Sequence, residues 1–426
     1  MARRLVLCLD GTWNSTYAGE RREDGHMVLK PSNTLKVARA VCPRDGNDEQ
    51  LTYYDTGVGS LGLYPGAASY ILTKADKLLG GLWGAGFEAN VEDALHFLAL
   101  NHQPGDDVFL FGFSRGAATA RAVTRFLDWA GGLPRKSDAY YLPILFRRYV
   151  DAKGAPEAFA TALGEINERR KKRKQAALDP FITVRVKYLG IWDSVFSLGS
   201  RFKATGASTS DAGRTFHAGT APAKCVEGAR HALAIDEARF DFRADVWTEN
   251  NPQTHRQRWF SGVHSNVGGG YTKDGLANVA FRWVLDGATE AGLRVDEKYV
   301  GHYRPFVLHS LYESSSLWFH IAEAVRFRKG RGKRPLTPYP SVELDPSVIK
   351  RMQATPEKLA QNDDPKAIKT AYRPANVIEL LASKPDLTAY LQSLGIQEPL
   401  PADVEQRIRE LKARGVAVGA MAQEPG

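Results

Sequence analysis

The stretch DDVFLFGFSRGAATAR, residues 106–121, joins a run of apolar residues to a segment rich in glycine and alanine. The apolar run predicts a buried strand, and the segment 115–132 predicts a helix that ends at two glycines. Between them, Gly112, Ser114 and Gly116 spell G-x-S-x-G. A strand, this motif and a helix in that order are typical of a tight turn that presents a nucleophilic serine above a sheet. We therefore predict that Ser114 is a nucleophile, with a serine in a purely structural turn as the alternative.

Apolar strands alternate with helical segments through the first 300 residues. This alternation predicts an α/β fold with a mostly parallel central sheet and helices on both faces. Functional residues of such folds lie at the carboxyl ends of the strands. The predicted strands lie in 4–9, 50–60, 106–113, 182–195 and 255–271, and the predicted helices at 88–102, 115–132 and 276–292.

The regular alternation of apolar strands and helices ends at about residue 300. Residues 335–348 are rich in proline and are interpreted as a linker, and 349–426 resemble short helices between loops. We therefore expect a catalytic domain over 1–315 and a mainly helical accessory segment over 316–426. The role of this segment stays open.

A serine hydroxyl needs a base, which is usually a histidine held by a carboxylate. In this class of fold the acid follows the serine in the chain, and the histidine follows the acid. Asp193 comes directly after the apolar strand of YLGIWDSV, so it is the predicted acid. His264, in FSGVHSNVGGGY, follows a strand and precedes a glycine turn, so it is the predicted base. His309 is the second candidate for the base.

The oxyanion of an acyl-transfer intermediate needs backbone N–H donors. We expect one from Arg115, which follows the nucleophile, and one from the DGTWN loop, at Gly11 or Thr12. The role of Asp10 stays open: it could order this loop, or it could approach Ser114 or Arg115. DGT also occurs in phosphatases that use an aspartate nucleophile, but the position of that aspartate is Cys8 here. No spacing of His, Cys, Asp or Glu indicates a metal site, and the predicted chemistry needs no cofactor.

The chain has a net charge of +9, much of it in the runs 169–174 and 326–334. These runs are either solvated segments or attracted to an anionic surface such as a membrane. No nucleic-acid motif accompanies them, so no nucleic-acid partner is predicted. Three scattered cysteines, no signal peptide and no transmembrane run favour the cytoplasm, with signal-less secretion left open. The apolar segment 64–87 could be a lid, or a buried loop and helix.

Five motifs occur in order along residues 3–315: LDGTWN, TGVGS, GFSRGAATAR, GIWDSV and GVHSNVGGGY. Together they resemble the α/β-hydrolase domain family that contains the type VI secretion phospholipase effectors of the first lipase class. The resemblance implies an α/β-hydrolase-like fold and a triad of Ser114, Asp193 and His264. It also implies a lipid ester substrate, with phospholipase A-type activity in the secreted members.

Two features depart from that resemblance. Asn266 stands where the histidine loop of the family commonly has aspartate, and the chain is compact where secreted members tend to carry large insertions. The leading hypothesis is a serine esterase or lipase that forms an acyl-enzyme. The alternatives are a non-catalytic binding or scaffold protein that retains the fold, and an effector delivered to another cell. The substrate headgroup, acyl chain, regiochemistry and oligomeric state stay open.

Overall fold

The structure is a computed structural model. It describes residues 3–11, 19–21, 25–57, 82–178, 181–195, 219–239, 242–249, 251–312, 333–360 and 367–414. Thr12 and most of the proposed lid, 64–81, lie outside these ranges, as do residues 326–332 of the second basic run.

Eight strands in the described part of the chain form one sheet, and two short strands form a separate antiparallel pair. The strand order in the sheet is β10-β9-β8-β7-β6-β1-β5-β4, and neighbouring strands are parallel except for β4, which is antiparallel to β5. The mostly parallel sheet predicted from the sequence is confirmed. The strands are β1 (Arg3–Leu9), β2 (Gly19–Arg21), β3 (Met27–Leu29), β4 (Arg44–Asp45), β5 (Asp48–Asp55), β6 (Asp107–Phe113), β7 (Arg185–Trp192), β8 (Ala229–Ala234), β9 (His255–Phe260) and β10 (Val342–Leu344).

Helices connect the strands and continue beyond them at the carboxyl end of the chain. The three predicted helices are present, although the first begins six residues earlier than expected, at Leu82. The helices are α1 (Asn33–Ala40), α2 (Leu82–Asn101), α3 (Arg115–Ala130), α4 (Leu142–Asp151), α5 (Pro156–Lys172), α6 (His264–Gly268), α7 (Gly275–Glu290), α8 (Glu297–Val300), α9 (Pro346–Gln353), α10 (Pro356–Ala360), α11 (Ala375–Ala382), α12 (Leu387–Ser393) and α13 (Ala402–Ala413).

Both faces of the sheet are covered, and the central strand β1 shows how. Successive side chains of a strand point to opposite faces. Leu5 and Leu7 accordingly belong to the apolar core shared with helices α2 to α5, whereas Val6 and Cys8 belong to the core shared with α1, α7 and α8. A strand buried on both faces reads as an uninterrupted apolar run, which is what the sequence shows.

The order of the strands reverses beside β1. The chain passes from β1 to β5 on one side and then to β6 on the other, so the carboxyl ends of β1 and β6 flank the point of reversal. In open α/β sheets this reversal point is where ligands bind. Asp10 follows β1 and Ser114 follows β6, so both stand at this reversal point.

The carboxyl-terminal segment joins the same sheet. The region interpreted as a proline-rich linker contains β10, which pairs in parallel with β9. A third apolar core combines residues of β8 and β9, such as Leu233 and Trp259, with residues of α9, α11 and α13. The division into domains at residue 315 stays a prediction, but described residues between Leu336 and Ile408 share a sheet and a core with the preceding ones.

Candidate active site

Ser114 occupies a strained turn between β6 and α3. Its backbone has φ 59° and ψ −121°, a conformation that costs a residue other than glycine about 1–3 kcal/mol. Its N–H donates a hydrogen bond of 3.1 Å to the carbonyl of Trp192, the last residue of β7. The serine therefore stands at the carboxyl edge of the sheet, beside the residue that follows β7.

The glycines of the motif are there because backbones pass close to one another. A Cβ on Gly112 would lie 2.5 Å from the carbonyl oxygen of Gly116. A Cβ on Gly116 would lie 2.5 Å from the carbonyl carbon of Leu9 and 2.7 Å from the carbonyl oxygen of Asp10. The first turn of α3 thus packs against the end of β1, and only glycine allows that approach.

Asp193 follows β7 and is fully buried, with a positive φ of 41°. Its Oδ1 accepts a hydrogen bond of 2.9 Å from the backbone N–H of Ala234, at the end of β8. Burial alone would raise the pKa of this carboxyl, but the Arg334 guanidinium and the His264 ring more than offset it, so its pKa lies below the ordinary value. Asp193 is therefore a carboxylate at neutral pH.

His264 is the first residue of α6 and is buried. Its Nδ1 lies 2.6 Å from Asp193 Oδ2, and because a carboxylate carries no proton, Nδ1–H is the donor. The neutral ring then has its lone pair on Nε2, the arrangement that a general base needs. Burial lowers the pKa of His264, and the hydrogen bond to Asp193 only partly offsets this.

The packing of aromatic rings places His264 beside the serine turn. The ring of Phe113, the residue before Ser114, lies 4.6 Å from the imidazole, centroid to centroid. Gly268, at the end of α6, gives room for the same phenylalanine. The structure thus brings the predicted serine, acid and histidine to the same edge of the sheet, after β6, β7 and β9.

Arg334 is a site residue that the sequence analysis missed, because it was interpreted as part of a solvated or membrane-attracted run. It is 7% exposed, and its Nη1 and Nη2 donate to Asp193 Oδ1 at 2.5 Å and to Oδ2 at 3.0 Å. For this residue, the interpretation as a surface charge is wrong. Alternating patterns in the sequence do not reveal such a contact, since 141 positions separate the two partners.

Glu237, which follows β8, is a second residue that was missed. Its Oε2 accepts a hydrogen bond of 3.3 Å from the backbone N–H of His264, and Arg239 binds the same carboxylate through its side chain. The guanidinium carbon of Arg239 in turn lies 3.6 Å from the centre of the Phe242 ring, which packs against His264. This chain of contacts fixes the position of α6.

Asp10 orders the loop after β1. Its Oδ1 accepts a hydrogen bond of 2.7 Å from Gly11 N–H, and its Oδ2 accepts from the hydroxyls of Tyr54, at 2.8 Å, and Ser32. Of the two uses that the sequence left open, the structure shows the first. The N–H of Gly11 is occupied here, so as an oxyanion donor it would first have to leave Asp10.

Two further residues have structural contacts. His309 accepts a hydrogen bond of 2.7 Å at Nδ1 from the N–H of Gly275, the first residue of α7. Asn266 is buried in α6: its Nδ2 donates to the carbonyl of Ser310 at 3.1 Å, and its Oδ1 accepts from Tyr312 N–H at 3.4 Å. An aspartate could not make the first of these bonds, so asparagine suits this position.

Within the described ranges, no three His, Cys, Asp or Glu side chains lie close enough together to hold a metal ion. Among the helices that the structure describes, none combines the length and apolar composition needed to cross a membrane.

The fold and the residues at its strand ends define an α/β-hydrolase-like protein. The family model described as "T6SS, Phospholipase effector Tle1-like, catalytic domain" matches residues 3–287. The chain therefore belongs to this family, which confirms the resemblance inferred from its motifs.

Similar proteins span more than this chain does. The uncharacterized protein YEL023C of Saccharomyces cerevisiae is 24% identical over 271 residues, which make up 62% of this chain and 35% of that protein. A solved structure of an uncharacterized protein from Pseudomonas aeruginosa has 16% identity and a TM-score of 0.42, covering 97% of this chain and 62% of that one. The Tle1 effector bound to the VgrG spike of the type 6 secretion system has 20% identity and a TM-score of 0.33, covering 63% and 51%. The chain thus spans about a third of its curated relative.

Proposed function

We propose that this protein is a serine hydrolase that cleaves lipid esters, phospholipids among them, through an acyl-enzyme. The observation that carries the proposal is the 2.6 Å hydrogen bond between His264 and Asp193, next to a serine in a strained turn. Family membership supports a lipid substrate. Ser114, His264 and Asp193 would be nucleophile, base and orienting acid.

In the first half of the reaction, Ser114 Oγ attacks the ester carbonyl carbon while His264 Nε2 takes the hydroxyl proton. The carbonyl oxygen becomes an oxyanion at the amino-terminal end of α3, where the backbone N–H of Arg115 and the helix dipole favour negative charge. The carbon–oxygen bond to the alcohol then breaks, and His264 gives its proton to the leaving alcohol. Asp193 holds the imidazole in the required tautomer and stabilises its protonated form.

In the second half, water takes the place of the serine hydroxyl. His264 Nε2 removes a proton from the water, whose oxygen attacks the acyl carbonyl. The bond to Ser114 Oγ breaks, the serine recovers the proton from His264, and the fatty acid leaves. The lowered pKa of His264 keeps the ring neutral at pH 7, ready for both proton transfers.

Labelling with a fluorophosphonate tests the nucleophile directly. We expect the purified protein to be labelled, more strongly with mixed detergent–phospholipid micelles if the substrate is a lipid at an interface. Ser114→Ala should lose the label and the release of fatty acid from phosphatidylglycerol. Ser310→Ala is the matched control, because this buried hydroxyl has no hydrogen-bond partner in the described part of the chain. A folded wild-type protein that neither reacts nor hydrolyses would overturn the proposal in favour of a binding protein.

A further inference from the structure

Arg334 binds Asp193, the predicted catalytic acid, although it lies outside the residues that the family model matches. The family model ends at residue 287, whereas Arg334 lies in the carboxyl-terminal segment. Its two terminal nitrogens bind the two oxygens of Asp193, at 2.5 and 3.0 Å. Two parallel bonds from a planar guanidinium fix a carboxylate in orientation as well as in charge.

The arginine itself is held in place. Its Nη1 donates to the carbonyl of Ala234 at 2.8 Å, and its Nη2 also donates to the carbonyl of Phe242. The side chain of Asn376, in α11, donates to the carbonyl oxygens of Arg334, at 3.0 Å, and Ile235, at 3.2 Å. The carbonyls of Ala234 and Phe242 thus hold the guanidinium and Asn376 holds the backbone of the same residue, so Arg334 is fixed at both ends of its side chain.

We infer that Arg334 is a positioning residue, which orients Asp193 and restrains proton uptake by His264. The inference rests on the proposed function, in which Asp193 orients the base. Asp193 Oδ2 is shared, since both His264 Nδ1, at 2.6 Å, and Arg334 Nη2, at 3.0 Å, bind it. The guanidinium therefore compensates part of the negative charge that would otherwise stabilise a protonated imidazole.

Two effects of removing the guanidinium can be separated. The first effect is geometric. The Asp193 carboxylate loses its two hydrogen bonds from Arg334 and keeps those from Ala234 N–H and the imidazole, so it is held less firmly and kcat falls. The second is electrostatic: a positive charge disappears from the far side of the carboxylate, so His264 binds a proton more readily. Removing a residue that only helped folding would not raise the pKa of His264 in the folded protein.

Other charged groups face the pair, and Arg334 acts on the pKa of two of them, Asp245 and His231. Glu237 and Arg239 act on His264, and Asp245, Arg121 and His231 lie around Asp193 and Arg334. Burial raises the pKa of Asp245 to about 6 and lowers that of His231 to about 3. Because Arg334 acts on the pKa of Asp245, Asp245→Asn in both backgrounds removes that contribution.

The test is an NMR titration of the His264 Cε1 proton, which does not require an active enzyme. We expect Arg334→Gln to raise the pKa of His264 by about one unit, the lower end of the effect of a neighbouring charge. Arg334→Lys keeps the charge, so its His264 should titrate close to wild type. Arg373→Gln is the control, because Arg373 forms an ion pair with Asp403 in the same segment rather than with Asp193. An unchanged His264 pKa in Arg334→Gln would overturn the inference.

Kinetics provide the second arm. With an active wild type, kcat/KM needs neutral His264, so the acid limb in Arg334→Gln should move to higher pH by the same amount. Arg334→Lys should lower kcat about tenfold without moving that limb, because a single ammonium cannot replace the fork. A lysine variant with wild-type kcat would contradict the orienting role. This test remains available if the glutamine variant does not fold. An inactive wild type would instead refute the proposed function, and the NMR result would still decide on Arg334.

Discussion

Replacing Gly116 with alanine tests the close approach on which the serine turn depends. The added Cβ would lie 2.5 Å from the carbonyl carbon of Leu9 and 2.7 Å from the carbonyl oxygen of Asp10, both backbone atoms of a central strand end. No side chain can rotate away to make room. We therefore expect a cost of about 3 kcal/mol in the free energy of unfolding, the upper end of the range for overpacking.

Gly164→Ala is the matched control, since it makes the same change in another helix. Gly164 is exposed in α5, and a Cβ there would have no neighbour within 4 Å. Alanine should stabilise that helix by about 0.5–1 kcal/mol. Urea unfolding measures both variants, and fluorophosphonate labelling follows the serine turn. A Gly116→Ala protein as stable and as reactive as wild type would refute the packing argument.

Three further outcomes follow from the site and the core. Asp193→Asn should lower kcat about 10⁴-fold by favouring the wrong imidazole tautomer, and an unchanged circular dichroism spectrum separates this from unfolding; wild-type kcat would contradict it. The kcat/KM of the wild type should fall as the pH falls through the pKa of His264. Because burial lowers that pKa, the midpoint of the acid limb should lie below 6.5. A midpoint above 6.5 would contradict the assignment of His264 as the base. Lys36→Met should cost about 2 kcal/mol in urea unfolding, because Lys36 is fully buried and pairs with Asp274 at 2.9 Å; an unchanged midpoint would contradict this.

The strand ends that carry the site could be predicted because their signals are local. β1, β6 and β7 are buried on both faces, so each is a run of apolar residues that ends at a polar one. In a parallel sheet these ends meet at one edge. Ser114, Asp193 and His264 could therefore be predicted from short stretches of sequence, without knowing which residues lie near them in the fold.

β8 shows why other parts could not be predicted. Its sequence ARHALA contains an arginine and a histidine, yet every residue is buried. Arg230 donates to the carbonyl of Trp283 at 2.7 Å and pairs with Glu290, and His231 accepts a hydrogen bond of 3.2 Å from Ser194 N–H. These partners lie far away in the sequence, so the local pattern did not predict this strand.

Arg334 binds a residue that the sequence did predict, although its own position could not be predicted from the local sequence. Burying a guanidinium costs several kcal/mol unless well-placed acceptors compensate it. Arg334 has four, namely both oxygens of Asp193 and the carbonyls of Ala234 and Phe242. A solvated arginine, as the basic run suggests, would avoid that cost altogether. Its burial against the buried carboxylate of Asp193 ties this edge of the sheet to the carboxyl-terminal segment, at a cost that the proposed role in orienting Asp193 would explain.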